Sequence, residues 1–451
     1  MRFIPQTIAI LGRQPALGIA ELESLYGAET MMPFGKKACL LSIDSVDFTR
    51  LGGSTRVAKI LTELPNDWQK IEQYLLDKTP EHAQYISGKL SFGISVFGVS
   101  VSAKTLARTA LAVKKAIRNS GHSVRMVPHD KTELGAATVL YNKLTGPQGW
   151  ELIVVSDGKT TYLAQTTDIQ DIDAYAARDQ ARPMRDAKVG MLPPKLAQII
   201  INLGVGRIDT TLTTRSQVPG VDELQGADEE KSKSYSKYDE RAPQSATQQD
   251  ATSKIRALSP AQRQDFASRH LVLDPFCGTG VVLQEAMIMD YDIYGSDLEP
   301  RMVQYSIDNL SWLDTKYPDV GDYRRIEIGD AAKHSWHEPE KISTVVCETY
   351  LGKPLTSLPP GDQLAKIMQE VNSLHHKFLQ NIGQQIKSGT RLCLAVPTWR
   401  GRHEFLHLSV LDYLHDLGYN RVKFEHVSNE DLIYHREGQV VGRELLVLQK
   451  K

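Results

Sequence analysis

Residues 271–289, LVLDPFCGTGVVLQEAMIM, constrain the fold more than any other stretch of this chain. An apolar run ends at Asp274, a turn with glycines at 278 and 280 follows, and an apolar helical pattern begins at once. Glycines there let the backbone approach a ligand closely and leave free amides at the helix start. A lone glycine-rich turn is weak evidence of a ligand. Here the next segments agree with it. About twenty residues on, the strand-like YDIYGSD ends at Asp297, where a carboxylate can accept from ribose hydroxyls. The following RRIEIGD ends at Asp330, where a carboxylate can accept from an adenine amino group. The third glycine of a dinucleotide fingerprint is missing, which points to a nucleoside ligand without a pyrophosphate.

From residue 270 onward, strand-like segments (HLVLDPF, YDIYGSD, RRIEIGD, STVVCET, RLCLAVP) alternate with helical ones. That alternation predicts a mostly parallel, doubly wound sheet covered on both faces. The closing VKFEHVSNEDLIYHREGQVVGRELLVLQK reads as a strand, a short loop and an antiparallel hairpin turning at Gly438. At 451 residues the chain exceeds one ordinary core. Two more α/β patterns precede the doubly wound half. TIAILGRQPALGIAELESLYG reads strand, turn and helix, stopped by Gly27, with a further strand near 36–44. Residues 91–165 repeat the theme, with a helix capped by Ser102 and stopped by Gly121. The expected units are 1–60, a ferredoxin-like α/β unit; 61–170; a linker and helix at 171–206, starting near Pro193 or Pro194; a polar insertion at 207–262, too poor in large apolar groups to order itself; and 263–451.

Composition narrows the function less than the motifs do. The net charge of −1 advertises no nucleic-acid partner for the chain as a whole, although local basic patches remain open. The helix at 103–119 carries Lys104, Arg108, Lys114, Lys115 and Arg118, either a solvated face or a phosphate-binding one. Cys39, Cys277, Cys347 and Cys393 are widely spaced, so neither a zinc site nor a disulfide framework is expected, and a cytoplasmic setting is. No secretory leader is read at the N-terminus and no apolar run reaches the ~18–20 residues that span a bilayer, so no membrane partner is expected.

DPFCGTG, SDLEP and IGD resemble the cofactor motifs of class I S-adenosylmethionine-dependent methyltransferases. DPFCGTG is similar to the form found in RNA guanine N2-methyltransferases that carry an N-terminal THUMP domain. ILGRQPALGIAELESLYG and RPMRDAKVGMLPPKLAQIIINL resemble the corresponding parts of the archaeal and eukaryotic tRNA guanosine-10 N2-methyltransferase family. The resemblance implies a Rossmann-like catalytic domain behind a THUMP-like unit at 61–170, with S-adenosylmethionine as cofactor. It implies that Asp274, Pro275, Cys277, Gly278, Gly280, Asp297, Leu298, Asp330 and Ala331 line the cofactor site. It further implies a tRNA substrate that the basic residues Lys104, Arg108, Lys115, Arg182, Arg185 and Lys188 meet through its phosphates. Some eukaryotic relatives need a small activator subunit, and the resemblance leaves room for one; no metal is implied.

The residues after the fourth strand depart from that family. Its members carry an Asp or Asn, two prolines and an aromatic, which hold an exocyclic amine and stack on an extruded base. Here the sequence is Glu348-Thr349-Tyr350-Leu351-Gly352, with the acid one methylene longer and both prolines gone. Three readings stay open. Glu348 orients the amine while Tyr350 stacks on the base; or the loop no longer catalyses base N-methylation, leaving an enzyme with a different acceptor atom or a non-catalytic, RNA-binding or cofactor-sensing protein; or Glu348 is a surface carboxylate and Tyr350 a core aromatic. A methyltransferase acting on rRNA or DNA is a further alternative. AVPTWRGRHEF adds Trp399 and Arg400 as candidates to meet a base or a phosphate at the sheet edge. Cys347, beside Glu348, reads as a small buried hydrophobe.

Overall fold

The computed structural model describes residues 3–128, 130–186, 192–207, 270–317, 324–402 and 404–451. The polar insertion expected at 207–262 falls, apart from Arg207, outside the described residues, as does Lys188.

The N-terminal half is one eight-stranded sheet. Its strands are β1 (Thr7–Leu11), β2 (Met31–Phe34), β3 (Ala38–Leu41), β4 (Ser54–Pro65), β5 (Leu90–Phe97), β6 (Val124–Met126), β7 (Gly149–Ser156) and β8 (Thr160–Ile169), in the order β2-β3-β1-β4-β8-β7-β5-β6. The boundary expected at residue 60 falls inside β4, which pairs with β1 along one edge and with β8 along the other. Helices α1 (Pro15–Tyr26), α2 (Trp68–Ala83), α3 (Ala103–Asn119) and the short α4 (Ala136–Tyr141) accompany these strands. The predicted caps are present: the Ser102 hydroxyl accepts from the Thr105 amide, and Gly27 ends α1 at φ +88°.

Two helices lead into the second half: α5 (Ile172–Gln180) and α6 (Pro194–Val205), the latter entered through Pro193 and Pro194. The second sheet contains β9 (Leu271–Asp274), β10 (Asp292–Asp297), β11 (Arg324–Ile328), β12 (Ile342–Glu348), β13 (Arg391–Arg400), β14 (Phe405–Leu406), β15 (Tyr419–Arg421), β16 (Ile433–Tyr434) and β17 (Val441–Lys450). Helices α7 (Val281–Ile288), α8 (Pro300–Lys316) and α9 (Gly361–Gly383) connect its strands. The main order is β11-β10-β9-β12-β13-β17-β15, with β9 to β13 parallel and β17 antiparallel to both its neighbours. This is the expected doubly wound, Rossmann-like sheet. The chain runs outward from β9 through β10 and β11, then crosses back to β12, so the order reverses between β9 and β12. A crevice outside the carboxyl ends of the strands at such a switch point is where open α/β sheets bind ligands.

The C-terminal segment differs in part from expectation. The hairpin is present, with β16 paired to β17 and Gly438 in its turn at φ +79°. VKFEH is not a strand. The Glu425 and His426 amides turn away from the sheet and donate to the carboxylate of Glu23 on α1, at 2.6 and 3.0 Å. A second buried carboxylate, Glu21, accepts from the amides of Gly52 and Gly53 and from Asn202 on α6, at 2.9, 2.8 and 2.8 Å. Burial pushes the Glu21 carboxyl up to about 7, against those hydrogen bonds. Leu17 and Ala20 of α1 share one apolar core with α6, α7 and strands of the second sheet, so the two halves form a packed unit.

Candidate active site

The sequence 271–280 builds the first part of the site. Asp274 ends the buried strand β9 and is itself buried, one carboxylate oxygen accepting from the Phe276 amide at 3.0 Å. Pro275 is buried behind it. The chain then turns under β10: the Cys277 amide donates to the Ser296 carbonyl at 3.0 Å, and the Gly278 amide to the Asp297 carboxylate at 2.9 Å. Gly278 at φ +53° and Gly280 at φ +83° need the left-handed region that only glycine enters readily. A Cβ on Gly280 would come within 3.0 Å of the Ser306 hydroxyl, whereas one on Gly278 would meet only the Phe276 carbonyl oxygen, at 4.0 Å. The loop is therefore packed beneath Gly280 and open above Gly278. Cys277 is buried, its thiol pushed well up by that burial, so it is a packing residue and no nucleophile.

Asp297 ends β10, its second carboxylate oxygen accepting from the Glu299 amide at 2.9 Å. Each oxygen keeps a further lone pair. Leu298 beside it is 64% exposed, an apolar side chain presented at the strand end. The Gly329 amide donates to the Asp297 carbonyl, which sets Asp330 next to this group; Asp330 caps the following turn through the Ala332 amide, with Ala331 buried beneath.

Three carboxylates gather at this edge. Burial raises the Asp274 carboxyl well above the ordinary range, and the negative charges of Asp297 and Glu348 add to the shift. Burial raises Asp297 as well. Among the described residues, neither Asp274 nor Asp297 has a cationic partner within ion-pair distance. A ligand bringing positive charge to Asp274, a diol to Asp297 and an apolar ring against Leu298 would satisfy this donor set. S-adenosylmethionine, with its ammonium, sulfonium, ribose and adenine, fits that description.

The acceptor side starts where β12 ends. Glu348 forms an ion pair with Arg443 of β17, whose Nε donates to one Glu348 oxygen. Both side chains are largely buried, at 15% and 9% exposure. Between them on the same face lies Ala395 of β13, whose methyl leaves room for the contact. Thr349 is buried and held twice. Its amide donates to the Ala395 carbonyl at 3.1 Å, and its hydroxyl lies 2.7 Å from Nε2 of His375 on α9. His375 Nδ1–H donates to the Val371 carbonyl at 2.8 Å, which leaves Nε2 to accept from Thr349. Tyr350 is 47% exposed and Gly352 turns the chain away at φ +86°. Tyr350 is thus not a core aromatic, and Glu348 not a free surface carboxylate.

Several expected contacts are corrected. Trp399 of β13 is fully buried in the core and cannot stack on a substrate base. Arg400, the next residue, is exposed. The linker arginines separate in the same way. Arg182 is buried beside Asp179, out of reach of a phosphate. Arg178 grips Glu285 of α7 through two hydrogen bonds of 3.0 and 3.2 Å, a staple between linker and sheet. Arg185 is exposed. On α3, Lys104, Arg108 and Lys115 are exposed with Leu111 and Arg118, and their spacing sets them along one helical stripe.

Sequence reasoning missed Arg443, His375 and Asn309. The first breaks the apolar run of β17. Asn309 lies mid-helix in α8, donates to the carbonyls of Met184 and Thr279 and accepts from the Met184 amide, tying the linker to the glycine loop. A polar group inside an otherwise apolar pattern was the available signal in each case. A separate crevice of about 340 Å³, between α2 and strands β4, β7 and β8, contains none of the predicted residues.

No protein-family model matches the chain. It is 29% identical over 126 residues to a tRNA (guanine(10)-N2)-dimethyltransferase of Methanothermobacter thermautotrophicus, covering 28% of this chain and 32% of that protein. It is 28% identical over 130 residues to the protein of the same name from Pyrococcus abyssi, covering 28% and 33%. The matches thus span about a third of the length of these curated relatives. Among solved structures it is similar to TrmN from Thermus thermophilus, at a TM-score of 0.47 and 15% identity, covering 99% of this chain and 100% of that one.

Proposed function

We propose that this protein transfers a methyl group from S-adenosylmethionine to the exocyclic N2 of a guanosine in tRNA. The observation that carries the reading is the meeting of two groups at one switch point: the Asp274–Gly278–Asp297 cradle on one side, and Glu348 with Tyr350 on the other. The curated relatives named tRNA (guanine(10)-N2)-dimethyltransferase support the choice of acceptor. The exposed basic stripe on α3 supports an RNA partner, since cations along one helix face can neutralise successive phosphates.

When bound, S-adenosylmethionine supplies the activated methyl group. The chain's own residues bind and orient. Asp274 receives the ligand's positive charge, Asp297 the ribose hydroxyls, and Leu298 the apolar face of the base. Asp330 stands where the adenine amine would donate. Glu348 accepts from the amine and turns its lone pair toward the methyl group, and Tyr350 stacks on the extruded base. In this reading the protein works in the cytoplasm, where its four unpaired cysteines stay reduced.

The test is incubation of the purified protein with methyl-labelled S-adenosylmethionine and unmodified tRNA, followed by digestion to nucleosides. Label recovered as N2-methylguanosine or its N2-dimethylated form is the expected result. Label in any other nucleoside, or none, contradicts the reading; transfer that appears only on adding a small partner subunit identifies an activator.

A further inference from the structure

The ion pair at the acceptor edge carries more than support for Glu348. Arg443 spends only Nε on the carboxylate. Among the described residues its two terminal nitrogens have no hydrogen-bond partner, and they are not among the polar atoms sealed from solvent. The second oxygen of Glu348 likewise has no partner among the described residues. The register explains where these free groups lie. Glu348 is level with Ala395, and Arg443 is level with Pro397, two residues further out along β13. β12 ends, and the antiparallel β17 begins, at the edge where the glycine loop opens. An acceptor oxygen and a pair of donor nitrogens therefore stand side by side at the mouth of the site, locked in register by their own ion pair.

We infer that Glu348 and Arg443 together read the Watson–Crick edge of the acceptor base and select guanine. This rests on the proposed methyl transfer to a guanosine and adds the device that chooses the base. Guanine presents donors at N2 and N1 and an acceptor at O6 along that edge; adenine presents a donor at N6 and an acceptor at N1. The free Glu348 oxygen accepts from the guanine donors, and an Arg443 terminal N–H donates to O6. Adenine would set its N1 lone pair against the carboxylate and leave the guanidinium unanswered. A site built on paired polar groups rejects a ligand that leaves them unpaired. Tyr434, about 5.9 Å from the guanidinium carbon, backs Arg443 on the side of β16.

The test separates base choice from methyl transfer by reading binding. Guanosine monophosphate, 2-aminopurine riboside monophosphate and adenosine monophosphate are titrated by NMR into protein saturated with S-adenosylhomocysteine. 2-Aminopurine keeps the N2 amine but lacks O6 and the N1 proton, so it removes the partner of Arg443 and one of the two donors offered to Glu348. The wild-type protein is expected to prefer guanosine over 2-aminopurine by at least about tenfold. Arg443→Met is expected to lower that ratio several-fold, leaving the share that the N1 donor contributes at Glu348, and Arg443→Lys to lower it less. Saturation with S-adenosylhomocysteine and the melting temperature, followed in parallel, establish that the variants are folded. Absence of guanosine binding to the wild type, equal binding of guanosine and 2-aminopurine, or an unchanged ratio in Arg443→Met overturns the inference. Failure of methyl transfer to tRNA would instead strike the proposed function, and it is read in a different assay.

Discussion

The proposed cofactor side and the proposed acceptor side of the sheet edge are built by different means. On the cofactor side, backbone does most of the work: two glycines in the left-handed region, an amide donated to Asp297, and a buried carboxylate at a strand end. These parts follow one another closely in sequence. On the acceptor side, groups from three distant segments, two side chains and one backbone carbonyl, hold the end of β12 and the residues after it. Arg443 of β17 grips Glu348, while His375 of α9 and the Ala395 carbonyl of β13 hold Thr349. The comparison separates a part of the edge shaped by its own backbone from a part held by contacts remote in sequence.

The largest separation between the two sides should come from Glu348→Ala. Methyl transfer should fall roughly a hundredfold or more, as expected for loss of a positioning contact. S-adenosylmethionine affinity, measured by calorimetry, should stay unchanged. An equal loss in both would show that the two sides are not separate. Asp274→Ala should do the reverse, weakening cofactor binding about ten- to a hundredfold through loss of a charge-assisted contact. A cofactor affinity equal to that of the wild type would remove Asp274 from the site.

His375 sharpens the contrast through pH. Burial lowers its pKa from 6.5 to about 4, so it is neutral in the folded protein over the working range. Its contribution to stability is fully present above pH 6.5 and is lost as pH falls from there toward 4, because the unfolded chain takes up the proton first. The loss is on the order of 3 kcal/mol. Glu21, raised to about 7, acts with the opposite sign between 4.5 and 7, so the informative quantity is the difference between wild type and His375→Gln. That difference should shrink steadily as pH drops from 6.5 to 4; a difference independent of pH would contradict the buried neutral imidazole. A smaller effect is expected at Thr349→Val, about 1 kcal/mol of stability from the lost hydroxyl, with Thr349→Ser recovering it. Urea unfolding curves would show both.

How much was legible in the sequence follows the same division. The doubly wound half could be read because each strand end and each glycine is a local signal, from Leu271 to Asp330. The caps at Ser102 and Gly27 were legible for the same reason. What could not be read were pairings between remote residues: Glu348 with Arg443 lies 95 positions apart, and Arg178 with Glu285 lies 107 apart. Arg182 and Trp399 were misread because composition marks a side chain as suited to RNA without saying whether it faces solvent. The helical stripe on α3 was the case where spacing did say so. VKFEH was misread as a strand because the carboxylate that claims its amides, Glu23, belongs to the first helix of the chain.

Modification of guanosine in tRNA at this edge has a direct consequence in the cell. Nucleoside mass spectrometry of tRNA from cells with and without the gene tests it most directly. N2-methylguanosine or its dimethylated form is expected to drop in the cells lacking the gene and to return when the gene, but not its Glu348→Ala version, is restored. A methylguanosine profile that is the same in both cells would contradict it.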